Sequence, residues 1–190
     1  MNTNAIAVFC GASHSQNPLH ATAAQDLGRA IATRGKTLIY GGSNLGLMGV
    51  VASAARDNGG KVVGIIPSLF PDEVIHSQPV DELVVVRTLS ERKQCIATRS
   101  DAFVALPGGI GTLDEITEMM TLNQLHIQCK PIGLLNIDHY FDPFLSQLDV
   151  MRQSGLLSTA TTDTLLVAPS ADALLDLIDH FSPTPATPAS

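Results

Sequence analysis

Tryptophan is missing from this 190-residue chain, and Phe and Tyr bring the aromatic share to only 4%. A core of large rings is thereby excluded, so Val, Ile, Leu, Ala and Met must fill the interior, packed closely with the help of fifteen glycines. Charge is sparse as well: 15% of residues are Asp, Glu, Lys or Arg, against 45% that are hydrophobic. Such a chain carries too much apolar side chain to stay unfolded and is long enough for one domain with a large core. Eleven Lys and Arg face eighteen Asp and Glu, a formal charge of −7. That excess excludes a bulk electrostatic grip on a nucleic-acid polymer or an anionic lipid surface. Any anionic ligand has to be held by local features.

Metal and disulfide signatures are also lacking. Cys10, Cys95 and Cys129 are odd in number, widely spaced and form no C-x-x-C pair. The expectation is three buried or semi-buried thiols in a reducing cytoplasm. His14, His20, His76, His126, His139 and His180 show no i, i+4 pair, so no metal is expected and each reads as a surface or loop residue. No stretch approaches the roughly 20 apolar residues that span a bilayer. Met1-Asn2-Thr3-Asn4 sets no basic region before an apolar run, so a cytoplasmic protein with no membrane partner is expected.

What is present is a rhythm of short β-rich apolar runs alternating with helix-like segments, the mark of repeated βα units in an α/β domain. Strands are expected at Ala5–Cys10, Thr37–Tyr40, Lys61–Ile66, Leu83–Val86, Ala102–Leu106, Pro131–Leu135 and Leu165–Val167. Between them the pattern predicts helices from Pro18, from about Leu47 to Asp57, and from Ser90 to Arg99 with Ser90 as N-cap. Further helices are predicted from Leu113 to about Leu125, from Phe141 to Gln153 and from Ala171 to His180. Prolines at 67, 71 and 79 mark an irregular excursion from Pro67 to Pro79. Residues 1–181 read as one domain, and 182–190, rich in Pro, Thr and Ser, as a disordered tail.

Two glycine-rich turns join a strand to a helix, where unpaired N–H groups and the helix dipole attract anions. Gly41 to Gly49 lacks both dinucleotide and P-loop spacing, and tight packing explains it as readily. Pro107-Gly108-Gly109-Ile110-Gly111-Thr112 is more particular: Thr112 adds a hydroxyl at the helix start, and Asp114 and Glu115 would complement the dipole in its first turn. Just upstream, Arg87, Arg92, Lys93 and Arg99 gather four of the eleven cations into thirteen residues. In an open α/β sheet both loops should face one crevice at the carboxyl ends of the strands.

The run Ser90-Glu91-Arg92-Lys93, followed by Ser100 to Pro107 and by Gly108-Gly109-Ile110-Gly111-Thr112-Leu113-Asp114-Glu115, closely resembles the LONELY GUY (LOG) family of nucleotide phosphoribohydrolases. The likeness spans nearly the whole chain, taking in Phe9-Cys10-Gly11-Ala12-Ser13, the Gly41 to Gly49 loop, Gln124, and Lys130 to Asn136. It implies a Rossmann-like doubly wound parallel sheet in a homodimer or an assembly of dimers. The implied reaction is hydrolysis of cytokinin riboside 5′-monophosphates, and commonly AMP, to free base and ribose 5-phosphate, with no cofactor. Arg92 and Glu115 would be the catalytic pair, Gly108, Gly109, Ile110, Gly111 and Thr112 would hold the sugar phosphate, and Ser13, Gly42, Glu73, Leu89 and Lys93 would line the nucleotide site. The chain departs from the family at Ile110, often Tyr, at Leu89-Ser90, often Met-His, and at Leu122, often Trp.

The chemistry expected of the pair follows from the bond. N-glycoside cleavage passes through an oxocarbenium-like sugar, so Glu115 would steady the ribose and activate water while Arg92 holds Glu115 charged by lowering its pKa. Asp114, about 100° around the helix, suits capping or partner contact. The label "lysine decarboxylase" borne by many proteins with this motif fits poorly, since that reaction normally needs pyridoxal phosphate in a much larger enzyme. Two other readings stay open: a general AMP nucleosidase of salvage, and a non-catalytic carrier of a nucleotide or molybdenum cofactor. Ile96, Ala97, Ile116, Met119, Met120 and Leu122 supply apolar surface that suits association or ordinary core.

Overall fold

The computed structural model describes residues 3–70 and 79–182. Seven strands are formed: β1 Ala5–Phe9, β2 Thr37–Tyr40, β3 Val62–Pro67, β4 Glu82–Val86, β5 Ala102–Ala105, β6 Ile132–Leu135 and β7 Leu165–Ala168. They pair in parallel throughout, in the order β4-β3-β2-β1-β5-β6-β7. The chain winds outward from β1 to β4, returns to set β5 on the other side of β1, and winds outward again to β7. This is the doubly wound arrangement, and its direction reverses between β1 and β5.

Both faces of the sheet are covered, which is why its central strands read as unbroken apolar runs such as AIAVF and VVGIIP. Ile6, Val8, Leu38, Tyr40, Val62 and Val104 point to one face, where α1 (Pro18–Thr33), α2 (Gly46–Asp57) and α7 (Ala171–Asp179) lie. Ala7, Phe9, Ile39, Val63, Phe103 and Leu134 point to the other, against α3 (Leu89–Arg99), α4 (Ile110–Gln124) and α5 (Asp142–Gln153). A short helix α6, Thr159–Thr162, has no counterpart in the sequence pattern. Lys130 ties the second layer to the sheet, its ammonium donating to Ala97 O at 2.7 Å and Ser100 O at 2.6 Å.

Strand limits agree with the sequence reading to within one residue, but two helix starts do not. The cap of α3 is Thr88, whose hydroxyl accepts from Glu91 N–H, so Ser90 is already inside the helix. Helix α4 begins at Ile110, three residues before the expected Leu113. Ile96, Ala97, Ile116, Met119 and Met120 are buried inside this chain, with Leu122 packed beside them, so they carry no argument for association. Glu73, His76 and the tail from residue 183 lie outside the described residues. Among the described residues no helix is long and apolar enough to cross a membrane.

Candidate active site

At the switch point the loops after β1 and β5 are laced together: Gly11 N–H donates to Pro107 O at 3.2 Å, and Leu47 N–H at the start of α2 donates to Gly11 O at 2.9 Å. A cavity of about 520 Å³ opens over them. Residues 10–15 after β1 line it, with Leu47 and Met48 of α2 and Leu89, Arg92 and Lys93 of α3. Across from these stand Pro107, Gly108, Gly109, Gly111, Thr112, Asp114 and Glu115.

Arg92, one turn into α3, and Glu115, in the second turn of α4, converge there from neighbouring helices. Arg92 Nη2 lies 3.0 Å from Glu115 Oε1, with the side chains 12% and 6% exposed. The guanidinium is steadied by its Nε, which donates to Ile65 O at 3.2 Å. Gly41 makes room for it, since a Cβ there would stand 2.1 Å from Arg92 Nη2. The first glycine loop therefore acts through what it leaves out. Although the charges are close, the N–H is not aimed at Oε1, which is buried and receives no hydrogen bond among the described residues.

Burial dominates the carboxyl's ionisation and raises the Glu115 pKa above the usual carboxylate value, with Arg92 only partly offsetting it. The expectation that Arg92 would hold this pKa down is therefore corrected: desolvation outweighs the ion pair. Lys93 is engaged by two acids, Asp114 at 3.0 Å and Glu118, which together raise its pKa. Since α4 starts at Ile110, its first turn holds no acid, so Asp114 is a partner of Lys93 and not a dipole complement.

The start of α4 is bare. Gly109 occupies the N-cap and supplies no side-chain acceptor. Thr112 and Leu113 N–H both go to Gly109 O, while those of Ile110 and Gly111 meet no acceptor among the described residues. Two free donors and a 15-residue helix dipole converge there, an arrangement that suits an anion such as a phosphate. Thr112 is buried, and a Cβ on Gly108 would lie 2.1 Å from its Oγ1, so only glycine fits that turn. Gly11 and Gly108 thus pack backbone against backbone under the cradle.

Of the residues proposed from sequence, Ser13, Leu89, Arg92, Lys93, Gly108, Gly109, Gly111, Thr112 and Glu115 all line this cavity. Gly42 and Ile110 do not: Gly42, at φ +74°, packs on Ile65 and Ile66, and the Ile110 side chain is 82% exposed. Sequence reasoning missed Tyr140 and His20. Tyr140 O–H donates to Gly108 O at 2.5 Å from the loop after β6. That loop holds Asp138 and His139 at φ 51° and 61°, a left-handed pair that costs about 1–2 kcal/mol per residue. His20, read as a surface residue, is buried on α1 and lines the cavity. A histidine within an Ala-rich helix gives no local signal, and only the return of residues 138–140 to the glycine loop makes it part of the site. Among the described residues no three His, Cys, Asp or Glu cluster as a metal site would require.

Residues 48–178 match the family described as "Possible lysine decarboxylase". The cytokinin riboside 5′-monophosphate phosphoribohydrolase LOG of Oryza sativa subsp. japonica is 42% identical, over 94% of this chain and 74% of that protein. The Arabidopsis thaliana enzyme of that name, LOG4, is 40% identical over 94% of this chain and 83% of its own length. Among solved structures, the molybdenum cofactor binding protein of Rippkaea orientalis superposes with a TM-score of 0.69 at 29% identity, over 94% of this chain and 96% of that one.

Proposed function

The chain belongs to the LONELY GUY (LOG) family of cytokinin riboside 5′-monophosphate phosphoribohydrolases, and from that premise we propose that it hydrolyses the N-glycosidic bond of cytokinin riboside 5′-monophosphates, and of AMP, releasing free base and ribose 5-phosphate. The observation that carries this reading is the buried Arg92–Glu115 pair opening on the same cavity as the uncapped start of α4. An anion seat and a desolvated carboxylate in one cleft are what a nucleotide N-glycosidase requires.

The 5′-phosphate is held by the free amides of Ile110 and Gly111, beside Thr112, and its binding energy fixes the ribose over Glu115. As the base departs, the sugar becomes oxocarbenium-like, and the carboxylate steadies that charge. Glu115 then takes a proton from the water that attacks the anomeric carbon, while the base, leaving with the electron pair of the broken C–N bond, takes up a proton from solvent. A carboxyl with a raised pKa is the stronger base for this step, and burial supplies the rise. Arg92 keeps enough of it ionised and fixes its position. Nucleosides lacking the phosphate are poor substrates on this account.

Lysine decarboxylation would call for pyridoxal phosphate on a neutral lysine, and the residues do not fit that cofactor. Lys93, the lysine that lines the cavity among the described residues, is held protonated by Asp114 and Glu118. A working homodimer, or an assembly of dimers, in the cytoplasm completes the proposal.

A carrier role for molybdenum cofactor or a nucleotide is the second reading, favoured by the likeness to the Rippkaea orientalis protein. A carrier has no need of a buried Arg–Glu pair. Incubating the purified protein with AMP and with isopentenyladenosine monophosphate, and separating the products by chromatography, tests both. Free base with equimolar ribose 5-phosphate supports hydrolysis, release of adenine alone favours a salvage AMP nucleosidase, and release of neither base favours the carrier.

A further inference from the structure

The cavity extends past the glycine loop, away from Arg92. Arg92 is anchored to β3 through Ile65 O, whereas the opposite wall is made by His20 of α1, Ser15, and Tyr140 after β6. His20 in that wall is buried, at 7% exposure, while Tyr140, at 42%, and Ser15 face solvent as well as the cavity, and the mechanism above uses none of the three.

Ser15 Oγ accepts from Asn17 N–H at 3.2 Å and stands 2.8 Å from His20 Nδ1, to which its hydroxyl can donate. Burial lowers the His20 pKa against the pull of Asp138 and so favours the neutral ring, and in the tautomer that accepts from Ser15 at Nδ1 the proton stands on Nε2. Nε2 has no partner among the described residues, and the ring is fixed by edge contact with Tyr140 at 5.2 Å between centroids. Tyr140 in turn spends its hydroxyl on Gly108 O, engaging a carbonyl whose lone pairs would otherwise repel an anion on the loop. Asp138, whose charge acts on His20, is engaged by Asn17 Nδ2 at 3.0 Å.

We propose that His20 is a specificity-determining residue, donating from Nε2 to a terminal phosphate oxygen on the start of α4, and that the His20–Tyr140 wall closes this end of the cleft against longer phosphate chains. The site would then select nucleoside 5′-monophosphates over di- and triphosphates. This rests on the reading of the cavity as a nucleotide site. Tyr140 is a positioning residue, acting through Gly108 and His20.

Titration calorimetry with ribose 5-phosphate tests the donor directly and does not depend on turnover. His20→Leu should weaken binding about 10- to 100-fold, the loss of one hydrogen bond to an anion. His20→Gln, whose amide nitrogen reaches the place of Nε2, should stay within about threefold of the unaltered protein. In turnover, His20→Leu and Tyr140→Phe should narrow the preference for AMP over ADP at least about tenfold, with the His20→Leu loss falling on KM more than on kcat. Unchanged binding by His20→Leu, or an equal loss in His20→Gln, overturns the donor role. An unchanged AMP to ADP ratio overturns the closed wall. If the unaltered protein binds ribose 5-phosphate but releases no base, the hydrolase reading fails while the titration still decides on His20.

Discussion

Replacing Arg92 by alanine strips the cation from a carboxyl whose side chain is 6% exposed and removes the Nε hydrogen bond to Ile65 O. Breaking one half of a buried pair costs about 3–5 kcal/mol, because the remaining charge is stranded. Glu115 can escape by keeping its proton, so the cost depends on pH. Its folded pKa already lies above the unfolded value near 4.5, and loss of Arg92 raises it further. A group that binds its proton more tightly when folded costs stability above its unfolded pKa, increasingly up to its folded pKa, and costs nothing below both. The Arg92→Ala deficit should therefore approach about 3–5 kcal/mol at pH 8 and shrink to about 1–2 kcal/mol near pH 4.5, where only the hydrogen bond and packing are lost. At pH 8 that is a fall in Tm of about 6–20 °C for a domain of this size. With no tryptophan to report, urea unfolding is followed by far-ultraviolet circular dichroism at both pH values. Arg92→Ala/Glu115→Gln, with no stranded charge, should regain most of the loss at pH 8 and still release no base. An equal deficit at both pH values, or a double variant no more stable than the single one, would refute the argument.

Gly41→Ala should displace the cation without deleting it. Its Cβ collides with the end of the flexible Arg92 side chain, so stability at pH 8 should fall by no more than the Arg92→Ala deficit of about 3–5 kcal/mol while base release falls about 100-fold or more; full activity would mean that Arg92 need not stand there. Burial pushes the Cys10 thiol far above its usual pKa, whereas Cys129 is exposed. Iodoacetamide at pH 8 should thus label Cys129 and spare Cys10 until the protein is unfolded, as read by peptide mass spectrometry. Among the described residues Arg87 pairs only with Glu91 on the surface, its side chain 86% exposed, so Arg87→Ala should leave Tm and ribose 5-phosphate affinity unchanged; a tenfold loss of affinity would return it to the site.

The strands were legible because a sheet covered on both faces demands unbroken apolar runs, and Thr37–Tyr40 is read without error. The start of α4 was not, because Gly111 is a poor helix former and Gly109 offers no capping side chain. A cap written in side chains would have been visible, but it would also have filled the place of an anion. Thr88 and not Ser90 meets the capping pattern with Glu91, which here also accepts from Arg87 N–H. Two candidate caps two residues apart differ only in where the backbone leaves the strand, and β4 ends at Val86.

The site divides along the same line. Arg92, Glu115 and the second glycine loop stand in one motif and could be named together. The direction of the Glu115 pKa could not, because it is set by how completely Ile65, Gly41 and the two helices shut out water, and burial is a property of the assembled fold. His20 and Tyr140 lie further still from local reading. Their contact joins α1 to the loop after β6, and Tyr140 reaches a carbonyl 32 residues away in sequence. What betrays that loop is the consecutive left-handed Asp138 and His139, a conformation the chain adopts only because Asn136 and Asp142 close the turn and Asn17 holds Asp138. Strain held in place by the turn's own side chains and by Asn17 serves to deliver one hydroxyl to Gly108. Relaxing it, with glycine at both positions, should make the turn easier to form, and if the wall acts as proposed it should also loosen the phosphate seat.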